Sequence, residues 1–433
     1  MPIFQNSATF LVIAVSKIAV LPILAVALRP AEFGVYALVA AGMTFGVVAF
    51  GLNVNAYVSR SVPGMSVLEA RRLVGTTALI EAGIAACVLA VAFGSGAASA
   101  LLGLLNVAPY TPTFLVAGVW LVIELFNLNL RSYLFGRRLV TRANVFDLLR
   151  LASWIPLLLL YWGLRGALSV DVVIVLSVAG SLVGTMYGIF AVRPILARRL
   201  ERALLRAALR FSVPLIVPGV SLAALRVADR SVLSATRSLE DVAAYSLAAG
   251  LATGLYSFTA LSVETVLLPS AVRSTNRGDV AAARSVVLAI LGYSVWSFSG
   301  SALALWLVLP LFAGFLSPEY ATGLAVFPLI ALGYVAIIAS RAPHNALFLR
   351  NRTGVILACD VVTIAVAVLL DLLLIPWLGI TGAAIASLIA FALNAAAKLP
   401  YSGLWPGIDW RSVLLPRWAV LGDARPVLPP SPE

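Results

Sequence analysis

Apolar runs of membrane-crossing length follow one another along the chain, and short connections between them hold most of the charge. About 20 apolar residues carry a helix across the hydrocarbon core of a bilayer. About twelve stretches approach that length: 8–27, 36–53, 75–93, 114–130, a short fifth at 148–162, 172–192, 213–236, 242–269, 285–309, 323–348, 355–376 and 380–399. Backbone that faces lipid has to satisfy its own hydrogen bonds, so the pattern predicts an all-α polytopic membrane protein.

The connections alternate in charge. One set carries Arg60, Arg71 and Arg72, the run Arg131, Arg137, Arg138, Arg142 and Arg150, then Arg193 to Arg210, Arg273 to Arg284, Arg350 and Arg352. The other set holds little beyond Arg29, Arg165 and Arg237. Arginine-rich short loops stay on the cytoplasmic side, which predicts cytoplasmic termini. Between the sixth and seventh spans, Arg198, Arg202, Arg206 and Arg210 alternate with leucines at helical spacing. That is the pattern of a basic amphipathic helix on an anionic leaflet.

The second half repeats the first. EFGVYALVAAG around Tyr36 compares with DVAAYSLAAGL around Tyr245, and LFGRRLVTRANVFDLL near Asp147 with LFLRNRTGVILACDVV near Asp360. Six spans per copy give both copies one orientation, hence a pseudo-two-fold axis along the membrane normal. Transporters built this way bind substrate between their halves. The expected organisation is a first half at 1–192, a basic cytoplasmic linker at 193–212, a second half at 213–400 and a cytoplasmic Pro/Trp-rich tail at 401–433.

Composition narrows the function classes. Of 433 residues, 62% are hydrophobic and 11% charged, against about 25% charged in globular domains. The net charge of +12 lies mostly in loops, so it reads first as topology and does not ask for a nucleic-acid partner. Cys87 and Cys359 lie inside apolar spans, which suggests neither a disulfide framework nor a thiolate metal site. An ATP-driven pump needs a phosphate loop with Gly-Lys-Ser/Thr; Lys17 follows Ser16 and Lys398 follows Ala397, so the chain has none. A glycosyltransferase or polymerase calls for a large outward loop with acids or histidine, and the stretch 94–112 has neither. A transporter rather than an enzyme is expected, without a cofactor.

Charges inside spans are the candidate chemistry. They cost about 2.5 kcal/mol or more at a helix centre and face a bundle interior or a wet cavity. Lys17, Arg226, Arg230 and Arg341 are the basic ones; Glu81, Glu124, Asp229, Glu264, Asp360 and Asp371 are the acids, with His344 near Arg341. Arg226, Asp229 and Arg230 share one helix face. Two readings stand side by side: Asp229 neutralises an arginine, or the surplus positive charge belongs to a cavity that handles an anion. Glu81, Glu124, Asp229, Asp360 and His344 serve either as ion-pair partners or in coupling.

Four segments carry a resemblance over nearly the whole chain. They are LRPAEFGVYAL after the first span, ADRSVL with EDVAAYSLA, LSPEYA before the tenth, and IPWLGITGAAIAS into the twelfth. In their order and spacing the sequence resembles the polysaccharide (O-antigen type) flippases of the multidrug/oligosaccharidyl-lipid/polysaccharide exporter superfamily. The resemblance implies a transporter of the bacterial inner membrane. It would move an undecaprenyl-pyrophosphate-linked oligosaccharide from the cytoplasmic to the periplasmic leaflet for lipopolysaccharide-type export, with polymerase machinery as a partner. In that fold the first and seventh spans are equivalent, so Lys17 and Arg226 or Arg230 would face one central cavity. A pyrophosphate calls for such basic groups. A multidrug and toxin extruder of the same fold and a lipid II flippase are the alternatives. Surplus acid would suit the cationic substrates of the former.

Overall fold

A computed structural model describes residues 19–194 and 202–404, with backbone alone at 202–203, 213–219, 221–222 and 225–226. All regular structure there is helical. Helix α1 covers 19–27 of the described residues. The rest of the first half comprises α2 (Pro30–Phe50), α3 (Val54–Ser61), α4 (Val67–Gly94), α5 (Ala97–Leu104), α6 (Thr111–Gly136), α7 (Val140–Ala152), α8 (Trp154–Arg165) and α9 (Val170–Val192). The second half comprises α10 (Arg202–Thr236), α11 (Leu239–Phe258), α12 (Ala260–Asn276), α13 (Val280–Ala313), α14 (Tyr320–Leu349), α15 (Thr353–Leu378) and α16 (Ile380–Ser402).

Ten stretches of these helices are long and apolar enough to cross a membrane. With α1 and with α10, which carries Arg226, Asp229 and Arg230, the chain has about 12 transmembrane helices. Local sequence sets the helix starts. Ser66 and Glu69 form a capping box on α4, Ser238 caps α11 and Asp279 caps α13. Each supplies an acceptor for backbone N–H groups that a helix start leaves unpaired.

The halves repeat in packing as well as in sequence. In the first half α4 packs on α6, α6 on α9 and α7 on α9; in the second α13 packs on α14, α14 on α16 and α15 on α16. The second span is followed at once by a short helix, and the eighth breaks part-way. Leu52 and Asn53, at positive φ of 45° and 53°, separate α2 from α3. Thr259 separates α11 from α12.

Three differences from the sequence reading follow from packing. The eighth span is two helices rather than one. The fifth begins at Val140, because α7 is an amphipathic helix packed on α9 that leads into the apolar α8. Residues 202–212, expected in a separate linker helix, are continuous with the seventh span in one 35-residue helix. Residues 195–201 and the tail from 405 onward lie outside the described residues.

The buried apolar core is divided unevenly. At the arginine-poor end, one cluster joins both halves: Leu28, Phe33 and Val107 of the first with Leu233, Val242, Tyr320 and Ile380 of the second. At the arginine-rich end the core splits. Val58, Leu73, Leu134 and Phe146 belong to one cluster, whose single buried residue from the second half is Ala208 of α10. Leu267, Ile290, Ala342 and Leu404 form another, within the second half. The described helices are therefore closed at the arginine-poor end and divided at the arginine-rich end.

Candidate functional site: charged groups inside the helix bundle

One group of interior charges is built around α10, the helix that packs against α2 of the other half. Asp229 is buried, and one of its oxygens takes the hydroxyl of Tyr245 (α11) and, at 3.4 Å, that of Ser387 (α16). Arg230 donates through Nε to Ser246 at 3.0 Å and lies over the Tyr245 ring at 5.9 Å. Asp371 of α15 is within electrostatic reach of Asp229, and its Oδ1 is buried without a hydrogen-bond partner. So α10, α11, α15 and α16 bring two carboxyl groups, a phenol and a guanidinium together. Such a group can hold a proton or cation on the acids and present the guanidinium to an anion. Lys17 and the side chain of Arg226 lie outside what the structure describes.

Arg341, read from the sequence as a cavity base that an interior acid could also pair, bonds through both Nε (2.9 Å) and Nη2 to Glu264 of α12. A guanidinium in an apolar bundle gains most from a planar carboxylate fork, and Glu264 supplies one. Arg341 keeps 32% side-chain exposure. Glu264 also borders a cleft of about 470 Å³ lined by α12, with Arg273 in its wall. His344 is half-buried, one turn along α14 from Arg341.

Asp360 bonds to Lys398 of α16 at 2.6 Å and to Asn394 at 3.0 Å. Lys398 is only 2% exposed. In the first half, Glu124 (α6) accepts from Arg150 (α7) at 2.8 Å and from Ser181 (α9) at 2.6 Å. Arg150 stands 3.7 Å from Asp147, which in turn takes Nε of Arg131 on both oxygens. Gly184 of α9 lets this cluster close, since a Cβ there would lie 2.7 Å from the Cβ of Arg150. Among the described residues Glu81 (α4) is paired with no base: Asn129 donates to its Oε2 at 2.5 Å, and its Oε1 is buried without a partner there.

Sequence reasoning missed Arg150, Asp147, Arg131 and Lys398 as interior groups. Arg150 and Arg131 read as loop charges, and Lys398 sits at the edge of the last apolar run. The available signal was Glu124 and Asp360 themselves, because each interior acid demands a base or a proton. The expected site residues thus fall into separate groups: Arg230 with Asp229, Arg341 with Glu264, and Asp360 with Lys398.

The fold is that of a polytopic helical membrane protein. The family model described as "Polysaccharide biosynthesis protein" matches residues 5–274, more than half of the chain, and the chain belongs to that family. No curated protein matches by sequence. Among solved structures, the chain is similar to one described as lipid II flippase MurJ in an inward closed conformation: TM-score 0.73, 14% identity, covering 97% of this chain and 91% of that one. It is similar too to an inward-facing multidrug resistance MATE family transporter of the MOP superfamily, with TM-score 0.68, 13% identity and coverage of 93% and 97%. An outward-facing MATE transporter matches with TM-score 0.56, 12% identity and coverage of 93% for both chains. At these identities the likeness shows the shared fold. The chain is a multi-pass membrane protein with the fold of MOP-superfamily flippases and transporters.

Proposed function

We propose that this chain is an alternating-access flippase. It moves an undecaprenyl-pyrophosphate-linked oligosaccharide from the cytoplasmic to the periplasmic leaflet of a bacterial inner membrane, with both termini cytoplasmic. The observation that carries this reading is the uneven core: sealed across both halves at one end and split at the end where arginine collects. A negatively charged lipid-linked substrate made in the cytoplasm would meet the divided end and its positive field first. Rocking the halves about the seam of α2 with α10 and α11 would then carry it across. Lys17, Arg226 and Arg230 are the residues we assign to the pyrophosphate, while Arg341 is held at both Nε and Nη2 by Glu264. The family's description as polysaccharide biosynthesis supports a glycan-bearing substrate, and a polysaccharide polymerase would take the product.

The test is reconstitution in vesicles. Transbilayer movement of a pyrophosphate-linked glycolipid is followed, with lipid II and a cationic drug as comparison substrates. Faster movement of the glycolipid alone is the expected result. Movement of the drug alone would replace this function with that of a cation extruder.

A further inference from the structure

We propose that Glu81 is a proton-binding site of the first half, loaded in this conformation and unloaded in another state of the transport cycle. Glu81 lies 14 residues beyond Val67 in α4, roughly 20 Å along the helix at 1.5 Å per residue. That places it deep in the membrane, and it is 1% exposed.

Its surroundings are those of an acid, not a carboxylate. Asn129 of α6 donates to Oε2, and Thr77 fixes the orientation of that amide by donating to its Oδ1 at 2.9 Å. Oε1 is enclosed and has no partner among the described residues. An ionised carboxylate left with one donor in so dry a place costs several kcal/mol. A bound proton removes that charge, converting the carboxylate to a neutral carboxylic acid with no other reactant.

The described charged groups on the neighbouring elements are paired, exposed or far from Glu81 along their helices, and Lys17 lies outside the described residues. α4 packs against α2, α3, α5, α6 and α10. On α6, Glu124 is held by Arg150 and Arg131 by Asp147; Tyr133 is buried in the apolar cluster of the arginine-rich end. On α3, Arg60 lies over Phe211, and Tyr57 packs at a tilt against the same ring. α2 carries Glu32 and Tyr36 at the arginine-poor end and α5 carries no charge. On α10, Arg206 and Arg210 are exposed, Asp229 takes Tyr245 and Arg230 donates to Ser246; the side chains of Arg202 and Arg226 are not described. α4 itself adds Glu69, Arg71 and Arg72 in its first turns and Cys87 further on. None of the described groups bonds to Glu81, whose one polar partner is the neutral Asn129.

Infrared difference spectroscopy of the purified protein tests this without any glycolipid, so its failure is distinct from failure of the flippase reading. Isotopic labelling of glutamate carboxyl carbons in the unsubstituted protein should shift a protonated-carboxyl band. Glu81→Gln, a neutral isostere, should abolish that band, and Glu81→Asp should restore one. In vesicles, Glu81→Gln should lose the acceleration of transport by an imposed pH gradient while still equilibrating substrate without one. The absence of a protonated-glutamate band in the wild type, its persistence in Glu81→Gln, or an unchanged response of Glu81→Gln to the gradient would overturn the proposal.

Discussion

Gly34 at the start of α2 meets the backbone carbonyl of Leu239 at the start of α11 so closely that a Cβ at position 34 would overlap its oxygen. The two residues belong to opposite halves, and the contact lies within the shared core of the arginine-poor end. Beside it, Asn106 donates to the carbonyl of Ser234 at 2.9 Å, and the Ser234 hydroxyl donates back to the carbonyl of Leu105. Closure at that end therefore depends on backbone meeting backbone. Gly34→Val should hold the end open, since overpacking costs about 1–3 kcal/mol and here falls on one state only. In a background lacking Cys87 and Cys359, the thiol of Ser234→Cys, buried in the closed form, should react with a thiol reagent only when combined with Gly34→Val. Equal protection with and without Gly34→Val would separate Gly34 from closure.

Breaking the Arg150–Glu124 pair should be the most destabilising single change among the interior charges. Their side chains are 9% and 12% exposed, so water screens them little. Arg150→Ala leaves the largely enclosed Glu124 with only the Ser181 hydroxyl, and such a loss costs about 3–5 kcal/mol. Thermal unfolding in detergent should show it, with Glu124→Gln added to Arg150→Ala recovering part of the loss. Additive losses in the two single variants would mean that the pair carries no coupling.

Glu264→Gln should cost less, about 1–3 kcal/mol, because Arg341 keeps 32% of its side chain exposed and water relieves the stranded guanidinium. The same unfolding measurement ranks the two. A larger loss here than at Arg150 would put Arg341 in a drier place than its exposure indicates.

Lys17→Ala should abolish glycolipid movement in vesicles while leaving expression intact, and Lys17→Arg should retain part of it. An ammonium without bidentate geometry attracts a pyrophosphate and lets it go. Normal movement by the alanine variant would remove Lys17 from the path.

The membrane spans were readable because their signal is local: apolar runs, alternating arginine and a repeat anchored on Tyr36 and Tyr245. The spans that came out differently are those where tertiary packing overrides that signal, as α7 shows by beginning in polar sequence against α9. The partners of the buried charges were not readable. Arg341 and Glu264 lie 77 residues apart in sequence and Lys398 and Asp360 lie 38 apart. Only the packing of α14 on α12 and of α16 on α15 decides those pairs. Asp229 illustrates the limit from the other side. Sequence placed it one position from Arg230, yet the groups bonded to its carboxylate come from α11 and α16.

The single apolar cluster at the arginine-poor end has a consequence for idle copies of the protein. Parting it would wet apolar surface at about 25 cal/mol per Å², a cost that an empty chain has nothing to set against. Spontaneous opening on that side should be correspondingly rare while the cluster holds. A membrane densely stocked with waiting copies should then stay tight to ions and keep its electrical potential.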